Sequence, residues 1–207
     1  MLTKNNINYE IIAPGIHLYD DVFVDSDLFL KEVEEKMKNN LMNPWRQGTV
    51  ITQEGQNVQE QYRKCFVADL PNFKEVKPNF YDKSNLAKTL FDLHLPIYKN
   101  IQPILDEYSR EYSVSIDWSS DYQLLKYGEG HYFKKHRDDC PEFHRRVSFS
   151  YYINDNYEGG EIEFPYFNVK VKPKAHQLLI FPSAYIYSHV VHPVTNGTRY
   201  AIVCWMR

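Results

Sequence analysis

The alternation of apolar and polar residues is clearest after residue 120, where it has the short period of β-strands. The strand-like segments are rich in Tyr, Val, Ile and Phe, and turn residues such as Asn154-Asp155-Asn156 and Glu158-Gly159-Gly160 separate them. They lie at 121–127, 131–138, 146–153, 160–164, 167–172, 177–181, 186–192 and 198–206. Short strands at this spacing predict a β-sandwich or a β-barrel.

The first 120 residues follow a mixed pattern. Residues 9–24 alternate around Pro14-Gly15, which predicts two short strands and a turn. Apolar residues recur at helical spacing in 27–40 and in 84–112, and the second segment contains two prolines, so we expect a kinked helix or two consecutive helices there. Between them, the Gly/Gln/Asn-rich segment 48–61 is typical of a mobile loop, and 63–70 is a predicted strand.

Composition narrows the class of protein. The chain has 207 residues and a formal charge of −3, with 24 Lys+Arg against 27 Asp+Glu, which argues against nucleic acid as a partner. Its three cysteines form no CxxC pair, and no apolar run approaches the length of a membrane span. The N-terminus lacks a signal-peptide core. We therefore expect a cytoplasmic protein without a membrane partner, folded as one domain over 1–207, with helices, strands and a loop in 1–120 and a β-rich core in 121–207.

Two candidate metal ligands stand close together in the second predicted strand. If that segment is extended, His136 and Asp138 point to one face, and Arg137 and Asp139 point to the other. An imidazole and a carboxylate are two of the three groups of a 2-His-1-carboxylate iron site. Because an HxD pattern also occurs at exposed strand ends, the prediction needs a third ligand from elsewhere in the chain.

His189 and His192 are the candidates for this third ligand, and their spacing puts them on opposite faces of a strand. A turn at 193–198 would fold the last strand back antiparallel to 186–192 and place Arg199 in the same barrel as His189. A guanidinium there could bind a dicarboxylate through two hydrogen bonds. We therefore predict His189 as the ligand and His192 as a rim residue.

Zinc is the less attractive metal for these three residues. Structural zinc sites are closed tetrahedra that often use cysteine, and Cys65, Cys140 and Cys204 all lie outside the proposed ligand set. Three facial protein ligands instead leave positions on iron for a 2-oxo acid and dioxygen.

A series of short motifs then stands in a fixed order along 122–207. The motifs are YGEG (127–130), HRD (136–138), YYIN (151–154), GGE (159–161), FP (164–165), VKP (171–173), FPS (181–183), His189, PV (193–194), Gly197, Arg199 and Trp205. Each motif is weak alone, but their joint order resembles the catalytic core of the 2-oxoglutarate/Fe(II)-dependent dioxygenases, and specifically their prolyl 4-hydroxylase-like branch. Residues 1–120 resemble this branch only in general layout.

The resemblance implies an α+β, mainly β fold with a double-stranded β-helix (jelly-roll) core and N-terminal supporting helices. It implies that His136, Asp138 and His189 bind Fe(II), that Arg199 binds the distal carboxylate of 2-oxoglutarate, and that Tyr127 helps to hold this co-substrate. The implied cofactors are Fe(II), 2-oxoglutarate and O2, with ascorbate as a candidate reductant. The implied reaction is hydroxylation of an unactivated C–H bond, with succinate and CO2 as co-products.

The substrate is predicted less directly. A prolyl residue of a protein or peptide is the first choice, and the groove would be formed by 43–66 and 138–145, with Tyr151, Arg145, Trp45 and Arg63 as candidate substrate-binding residues. Tyr151 and Tyr152 are adjacent, so only one of them can face the iron. The alternatives are a hydroxylase of a free amino acid or small metabolite, and a non-enzymatic metal- or sugar-binding β-barrel. The oligomeric state stays open.

Two positions depart from the family pattern. His176 stands where the family often has a glycine, three residues after the proline of the VxP turn. Phe133 stands where a tyrosine often precedes the first ligand by three residues, so a hydroxyl that could contact the co-substrate is absent. Tyr127 or Tyr132 would then have to supply it.

Overall fold

The structure is a computed structural model that describes residues 2–4, 7–22, 30–31, 35, 45–52, 55–70, 85–117, 122–140 and 144–207. Its strands are Leu2–Lys4 (β1), Ile7–Ala13 (β2), Ile16–Tyr19 (β3), Arg46–Gln47 (β4), Val50–Thr52 (β5), Gly55–Asn57 (β6), Arg63–Lys64 (β7), Phe66–Leu70 (β8), Tyr122–Tyr127 (β9), Tyr132–His136 (β10), Val147–Tyr152 (β11), Glu158–Gly159 (β12), Ile162–Phe164 (β13), Val169–Val171 (β14), Leu178–Pro182 (β15), His189–Val191 (β16), Val194–Asn196 (β17) and Arg199–Met206 (β18). An α-helix spans Asn85–Glu111 (α1), and 3₁₀ turns span Pro165–Phe167 and Tyr185–Tyr187.

Two antiparallel sheets form the body of the protein. The major sheet has the strand order β1-β2-β3-β15-β11-β18-β9-β8-β4, and the minor sheet has the order β14-β13-β16-β10-β7. Strands that are distant along the chain pair in both sheets, as when β11 pairs with β15 on one side and with β18 on the other. The eight strand segments predicted after residue 120 all contain a strand.

The two-residue period of the strands divides the core of the major sheet into two layers. On β11, Phe149 and Tyr151 pack with the helix side of the sheet, whereas Tyr152 packs with the barrel interior. On β18, Ile202 lies in the helix-side layer and Ala201 in the interior layer. Full burial of each large apolar side chain stabilises the fold by roughly 1.5–3 kcal/mol.

The helix α1 supports the major sheet from outside the barrel. Its buried residues recur every three or four positions, so they form one stripe, made of Ile97, Ile101, Ile104, Leu105 and Tyr108. The helix continues through both Pro96 and Pro103. Of the two predicted outcomes for 84–112, the segment therefore forms one helical element.

Several predictions about the first 120 residues need correction, and one falls mainly on residues that the structure does not describe. The segment 48–61, predicted as a loop, contains the hairpin β5–β6. The strand predicted at 63–70 is interrupted at Cys65, so that β7 joins the minor sheet and β8 joins the major sheet. The helix predicted at 27–40 lies outside the described residues except for Leu30, Lys31 and Glu35, which are helical.

The last strand does not fold back on 186–192 as predicted. β18 pairs with β11 and β9 in the major sheet, whereas β16 pairs with β10 and β13 in the minor sheet. The segment predicted as a turn contains β17, which pairs with β12. The chain thus crosses from one sheet to the other between His189 and Arg199. Among the described residues, none of the helical segments has both the length and the apolar character that a membrane crossing demands.

Candidate metal centre

Three side chains converge at the mouth of the barrel. One ligand atom each from His136, Asp138 and His189 lies within 4.8 Å of the other two. His136 Nε2 is 3.6 Å from Asp138 Oδ1, and His189 Nε2 is 4.0 Å from Asp138 Oδ2. The side chains are 19%, 7% and 6% exposed in the order His136, Asp138 and His189. This spacing suits one ion bound between the three atoms.

The backbone holds both imidazoles in the orientation that a metal requires. The Nδ1 atom of His136 lies 2.8 Å from the carbonyl oxygen of Lys134, and the Nδ1 atom of His189 lies 3.1 Å from that of Tyr187. A carbonyl only accepts hydrogen bonds, so each Nδ1 carries the proton and donates. Each Nε2 is then left with its lone pair, which is the arrangement of metal-binding histidines.

The surroundings of His136 and Asp138 favour the protonation states that metal binding requires, a neutral imidazole and an ionised carboxylate. Burial, followed by the neighbouring His189, lowers the pKa of His136 to about 3, so its ring is neutral at pH 7. Burial alone would raise the pKa of Asp138, but His189 and His136, with Ser148 and Arg145, bring it below its usual value. The site therefore presents a neutral imidazole and a carboxylate.

Strand pairing brings the two histidines together. β10 pairs with β16, and His136 lies opposite His189 in this pair. A register shift between Phe133 and His136 places the side chains of Phe133 and His136 on the same side, towards the site. The strand ends at His136, so Asp138 stands in a bend two residues beyond it rather than in the predicted extended segment. His192 is half-buried and lies 2.6 Å from Glu163, outside the three-residue cluster.

Aromatic rings enclose the three ligands. Phe133 stacks on His136 at 3.5 Å between ring centroids. Phe181 and Phe164 pack against His189 at 4.9 and 5.5 Å. These contacts fix the ring positions and limit the access of water to the site.

Arg199 lies deeper in the barrel and is 2% exposed. Its guanidinium carbon lies 5.0 Å from the ring centroids of both Tyr127 and Tyr152. The Nε and Nη1 atoms are buried without a hydrogen-bond partner among the described residues. Burial alone would lower the pKa of Arg199, but Tyr152, Tyr157 and Tyr127 raise it, so the group is cationic. A buried cation with unsatisfied donors is suited to a ligand carboxylate.

An inner cavity joins Arg199 to the metal ligands. Residues of both sheets line this cavity, including Tyr127, Ser150, Asp138, His189 and Arg199. The structure thus brings together four of the residues that the sequence assigned to metal and co-substrate, with Tyr127 beside them.

Tyr151 was predicted to bind substrate, and the structure contradicts this. Tyr151 is fully buried in the helix-side layer of the major sheet, and its neighbour Tyr152 faces the barrel interior and Arg199. The cause is the strand period, which points adjacent side chains to opposite faces. Trp45 is also misassigned, because it packs against the helix-side core and Lys126 rather than in the groove.

A groove opens above the metal ligands, with a volume of about 710 Å³. Arg63 and Arg145, both predicted to contact substrate, line it. The Arg63 guanidinium carbon lies 4.8 Å from the Phe133 ring centroid, and that of Arg145 lies 4.2 Å from the Trp205 ring centroid. Arg145 also donates to the carbonyl of Asp138 at 3.1 Å. Arg63 and Trp205 line both the groove and the inner cavity, so they stand at the boundary between the two.

The departures from the family pattern have visible consequences. His176 has a φ of +67°, so the turn keeps a left-handed backbone although its residue has a side chain. Phe133 cannot donate a hydrogen bond to the site. Tyr132 does not replace it, because its hydroxyl donates to the carbonyl of Glu60.

The groove residues Val50, Ile51 and Gln56 lie in the segment 43–66 that the sequence assigned to the groove, but the β5–β6 hairpin that carries them was predicted as a loop. These three side chains are exposed or half-buried, so no regular apolar period indicated strands there. Of the two adjacent candidates Tyr151 and Tyr152, the sequence analysis chose Tyr151 as a substrate-binding residue, whereas Tyr152 is the one that faces the barrel interior.

Part of this chain is similar to a known family of proteins. Residues 122–207 match the model of the 2OG-Fe(II) oxygenase superfamily. A protein of Acanthamoeba polyphaga mimivirus named "Putative prolyl 4-hydroxylase" is 30% identical over 127 residues, which cover 52% of this chain and 52% of that protein. A PKHD-type hydroxylase of Xanthomonas campestris pv. campestris is 28% identical over 171 residues, covering 79% of this chain and 68% of its own. The chain thus spans about half the length of the mimivirus relative.

Solved structures share the fold. A prolyl hydroxylase from Trichoplax adhaerens, in complex with a peptide fragment of the hypoxia inducible factor oxygen degradation domain, superposes with a TM-score of 0.72 at 19% identity, covering 93% of this chain and 83% of that one. A Pseudomonas putida prolyl-4-hydroxylase gives a TM-score of 0.63 at 18% identity, with 93% and 92% coverage. The viral collagen prolyl hydroxylase of Paramecium Bursaria Chlorella virus-1, in its 2OG complex, gives 0.62 at 19% identity, with 93% and 96% coverage. The predicted double-stranded β-helix is therefore confirmed.

Proposed function

We propose that the protein is an Fe(II)- and 2-oxoglutarate-dependent dioxygenase that hydroxylates a prolyl residue of a protein or peptide. The match of residues 122–207 to the model of the 2OG-Fe(II) oxygenase superfamily supports this proposal. One observation carries the proposal. Two imidazoles with free Nε2 atoms and one carboxylate meet at the end of a cavity whose other end holds a buried guanidinium with unsatisfied donors.

The residues present fit the cofactors. His136, Asp138 and His189 would hold Fe(II) as a 2-His-1-carboxylate set. Arg199 would bind the distal carboxylate of 2-oxoglutarate, with Tyr127 and Tyr152 packed against its guanidinium. When bound, Fe(II) with 2-oxoglutarate and O2 supplies the oxidation of an unactivated C–H bond, with succinate and CO2 as co-products.

The chain itself positions the reactants and excludes water. The carbonyls of Lys134 and Tyr187 keep the two imidazoles aimed at one point. The phenylalanines packed against the histidines limit the access of water from the barrel side, which strengthens the electrostatic interactions inside the site. Arg63 and Trp205, at the boundary between groove and inner cavity, would contact the substrate residue that reaches the metal.

The choice of a peptide substrate rests on two facts. The groove is open, has a volume of about 710 Å³ and is lined by residues of the β5–β6 hairpin, β10 and β18, which suits an extended chain better than an enclosed metabolite. The Trichoplax adhaerens structure holds a peptide. Two other functions compete with this proposal: hydroxylation of a free amino acid or small metabolite, and metal or sugar binding without catalysis.

A succinate assay separates these functions. Purified protein is incubated with Fe(II), 2-oxoglutarate and ascorbate, and succinate is measured with and without proline-containing peptides, while mass spectrometry detects peptide oxidation. We expect succinate to rise with peptide and each product peptide to gain one oxygen atom. Stimulation by free proline alone would favour the metabolite hydroxylase, and no succinate under any condition would favour the non-enzymatic barrel.

A substitution at Gly160 tests the co-substrate site without replacing Arg199 itself. A Cβ added at Gly160 would lie 3.1 Å from Arg199 Cδ and 3.0 Å from Tyr157 Cε2. We therefore expect Gly160→Ala to weaken 2-oxoglutarate binding by about tenfold, equal to about 1.4 kcal/mol. Isothermal titration calorimetry with 2-oxoglutarate measures the change.

Gly130→Ala is the matched control for this substitution. Gly130 has a φ of +72°, close to the +65° of Gly160, but a Cβ there meets no heavy atom within 4 Å. In both variants an alanine must adopt a left-handed backbone conformation, which lowers the free energy of unfolding by about 1 kcal/mol. Only Gly160→Ala should lose affinity for 2-oxoglutarate, and equal loss in both variants would contradict the role of Arg199.

A further inference from the structure

The groove above the metal ligands carries a charge opposite to that of the whole protein. The chain has 24 Lys+Arg against 27 Asp+Glu. Among the described residues that line the groove, the cations are Arg63, Lys134, Lys135, Arg137 and Arg145, and the anions are Asp138 and Asp139. The groove is therefore a local basic surface on an acidic molecule.

Three of these cations surround the first metal ligand in the sequence. Lys134, Lys135 and Arg137 flank His136 at the end of β10, and all three are exposed. Lys134 and Lys135 lie over the rings of Tyr62 and Tyr166, with Nζ 5.5 and 4.6 Å from the ring centroids. Within the described part of the chain, no carboxylate forms an ion pair with any of the three.

The two groove aspartates do not neutralise this surface. Asp138 is 7% exposed and its oxygens face His136 and His189, so its charge is directed to the metal position. The opposite wall, as far as it is described, is uncharged apart from Arg63, since the hairpin side contributes Thr49, Val50, Ile51, Gln56 and Gln59. Asp139 is then the one described anion that remains for contact with a substrate.

The cofactors proposed above leave this imbalance in place. Fe(II) and a 2-oxoglutarate dianion cancel each other's charge, and Asp138 and Arg199 likewise carry one charge of each sign. Among the described lining residues, the formal charges of the five cations and Asp139 add up to four positive charges. An excess of this size, in a groove of about 710 Å³, attracts anions and raises their rate of association.

From this arrangement, and resting on the function proposed above, we propose that the groove selects acidic peptides: segments in which Asp or Glu residues flank the target residue. Lys134 and Lys135 contact the acidic residues of the peptide on one side of the metal position. Arg137 contacts acidic residues of the peptide near Asp139. The cations therefore determine specificity, while the metal ligands and Arg199 determine chemistry. Nucleic acid is the competing anionic partner, and the net negative charge of the chain disfavours it.

The test uses three peptides of equal length with one central proline flanked by Glu, Gln or Lys. Fluorescence anisotropy measures their binding to protein supplied with Fe(II) and 2-oxoglutarate under anaerobic conditions, at low and high salt. Aerobic mass spectrometry measures their hydroxylation separately. We expect the affinity for the Glu peptide to exceed the affinity for the Lys peptide by about tenfold or more. This difference in affinity should become smaller at high salt.

The double variant Lys134→Gln/Lys135→Gln removes two groove charges without changing the Lys134 carbonyl that orients His136. Lys170→Gln, at an exposed position on β14 outside the groove lining, is the control for a loss of positive charge. We expect the preference for the Glu peptide to fall to about threefold or less in the double variant and to persist in the control. Thermal unfolding verifies that both variants fold.

Each outcome decides between the two proposals. Charge-selective binding without any hydroxylation would support selection of acidic peptides by the groove and overturn the prolyl hydroxylase function. Hydroxylation of all three peptides with equal efficiency, or a preference that survives in the double variant, would overturn the selection of acidic peptides. Displacement of the Glu peptide by single-stranded RNA at lower concentration than by unlabelled peptide would overturn it in favour of nucleic acid.

Discussion

Asp138→Ala is expected to abolish both Fe(II) binding and succinate formation. The substitution removes the one carboxylate of the three-residue cluster and leaves two neutral imidazoles at the metal position. Loss of an outer-shell partner costs 10–100-fold in metal affinity, so we expect loss of this ligand to cost more than about 100-fold. Calorimetric titration with Fe(II) under anaerobic conditions measures the affinity, and the succinate assay measures turnover. Full activity with normal iron retention would refute the ligand assignment.

Asp139→Ala is the matched control for metal binding. Asp139 is adjacent and acidic, but it lies outside the three-residue cluster. Its backbone N–H donates a hydrogen bond to the carbonyl oxygen of Ser183. We expect Asp139→Ala to bind Fe(II) as the native protein does. If both variants lost iron equally, the effect would come from the general negative charge of the site and not from coordination.

Arg199→Met is expected to raise the KM for 2-oxoglutarate by about 30-fold or more. Loss of one member of a buried charge pair costs about 2–5 kcal/mol, and here the partner would be the distal carboxylate. The variant should still bind Fe(II) with native affinity, because Arg199 lies outside the metal cluster. Steady-state succinate formation at varied 2-oxoglutarate concentration gives the KM. An unchanged KM would exclude Arg199 from the co-substrate site.

Arg199→Lys is the conservative variant for this prediction. It keeps the charge but loses the two-pronged geometry of the guanidinium, so we expect a smaller rise in KM. Methionine has nearly the length of the arginine stem and fills the space between Tyr127 and Tyr152. Thermal unfolding of both variants therefore separates loss of binding from loss of fold.

The strands after residue 120 were predictable from sequence because alternation and turn residues are local signals. The pairing of β18 was not. Adjacent strands commonly form hairpins, which led to the prediction that β18 folds back on 186–192. Its actual partner β11 begins about fifty residues earlier, and no local pattern encodes that choice.

Motif order predicted the candidate metal ligands and Arg199, which the structure brings together around one cavity, but it did not predict which face of β11 points into the barrel. All six residues of β11 are buried, because its strand lies in the middle of the major sheet with a core on each face. Alternation of polar and apolar residues therefore gives no indication of which of Tyr151 and Tyr152 faces the barrel. The β5–β6 hairpin was missed for the opposite reason, since it has too little buried surface to impose a period.

The crossing of the chain between His189 and Arg199 puts the two ends of the proposed co-substrate site on different sheets. The proposed metal ligands belong to the minor sheet and to the bend that follows β10, and Arg199 belongs to the major sheet. A dicarboxylate held at both ends would tie the two layers to each other across the barrel. Its concentration would then govern how often the layers separate, so the resistance of this protein to proteolysis would report the supply of a central metabolite.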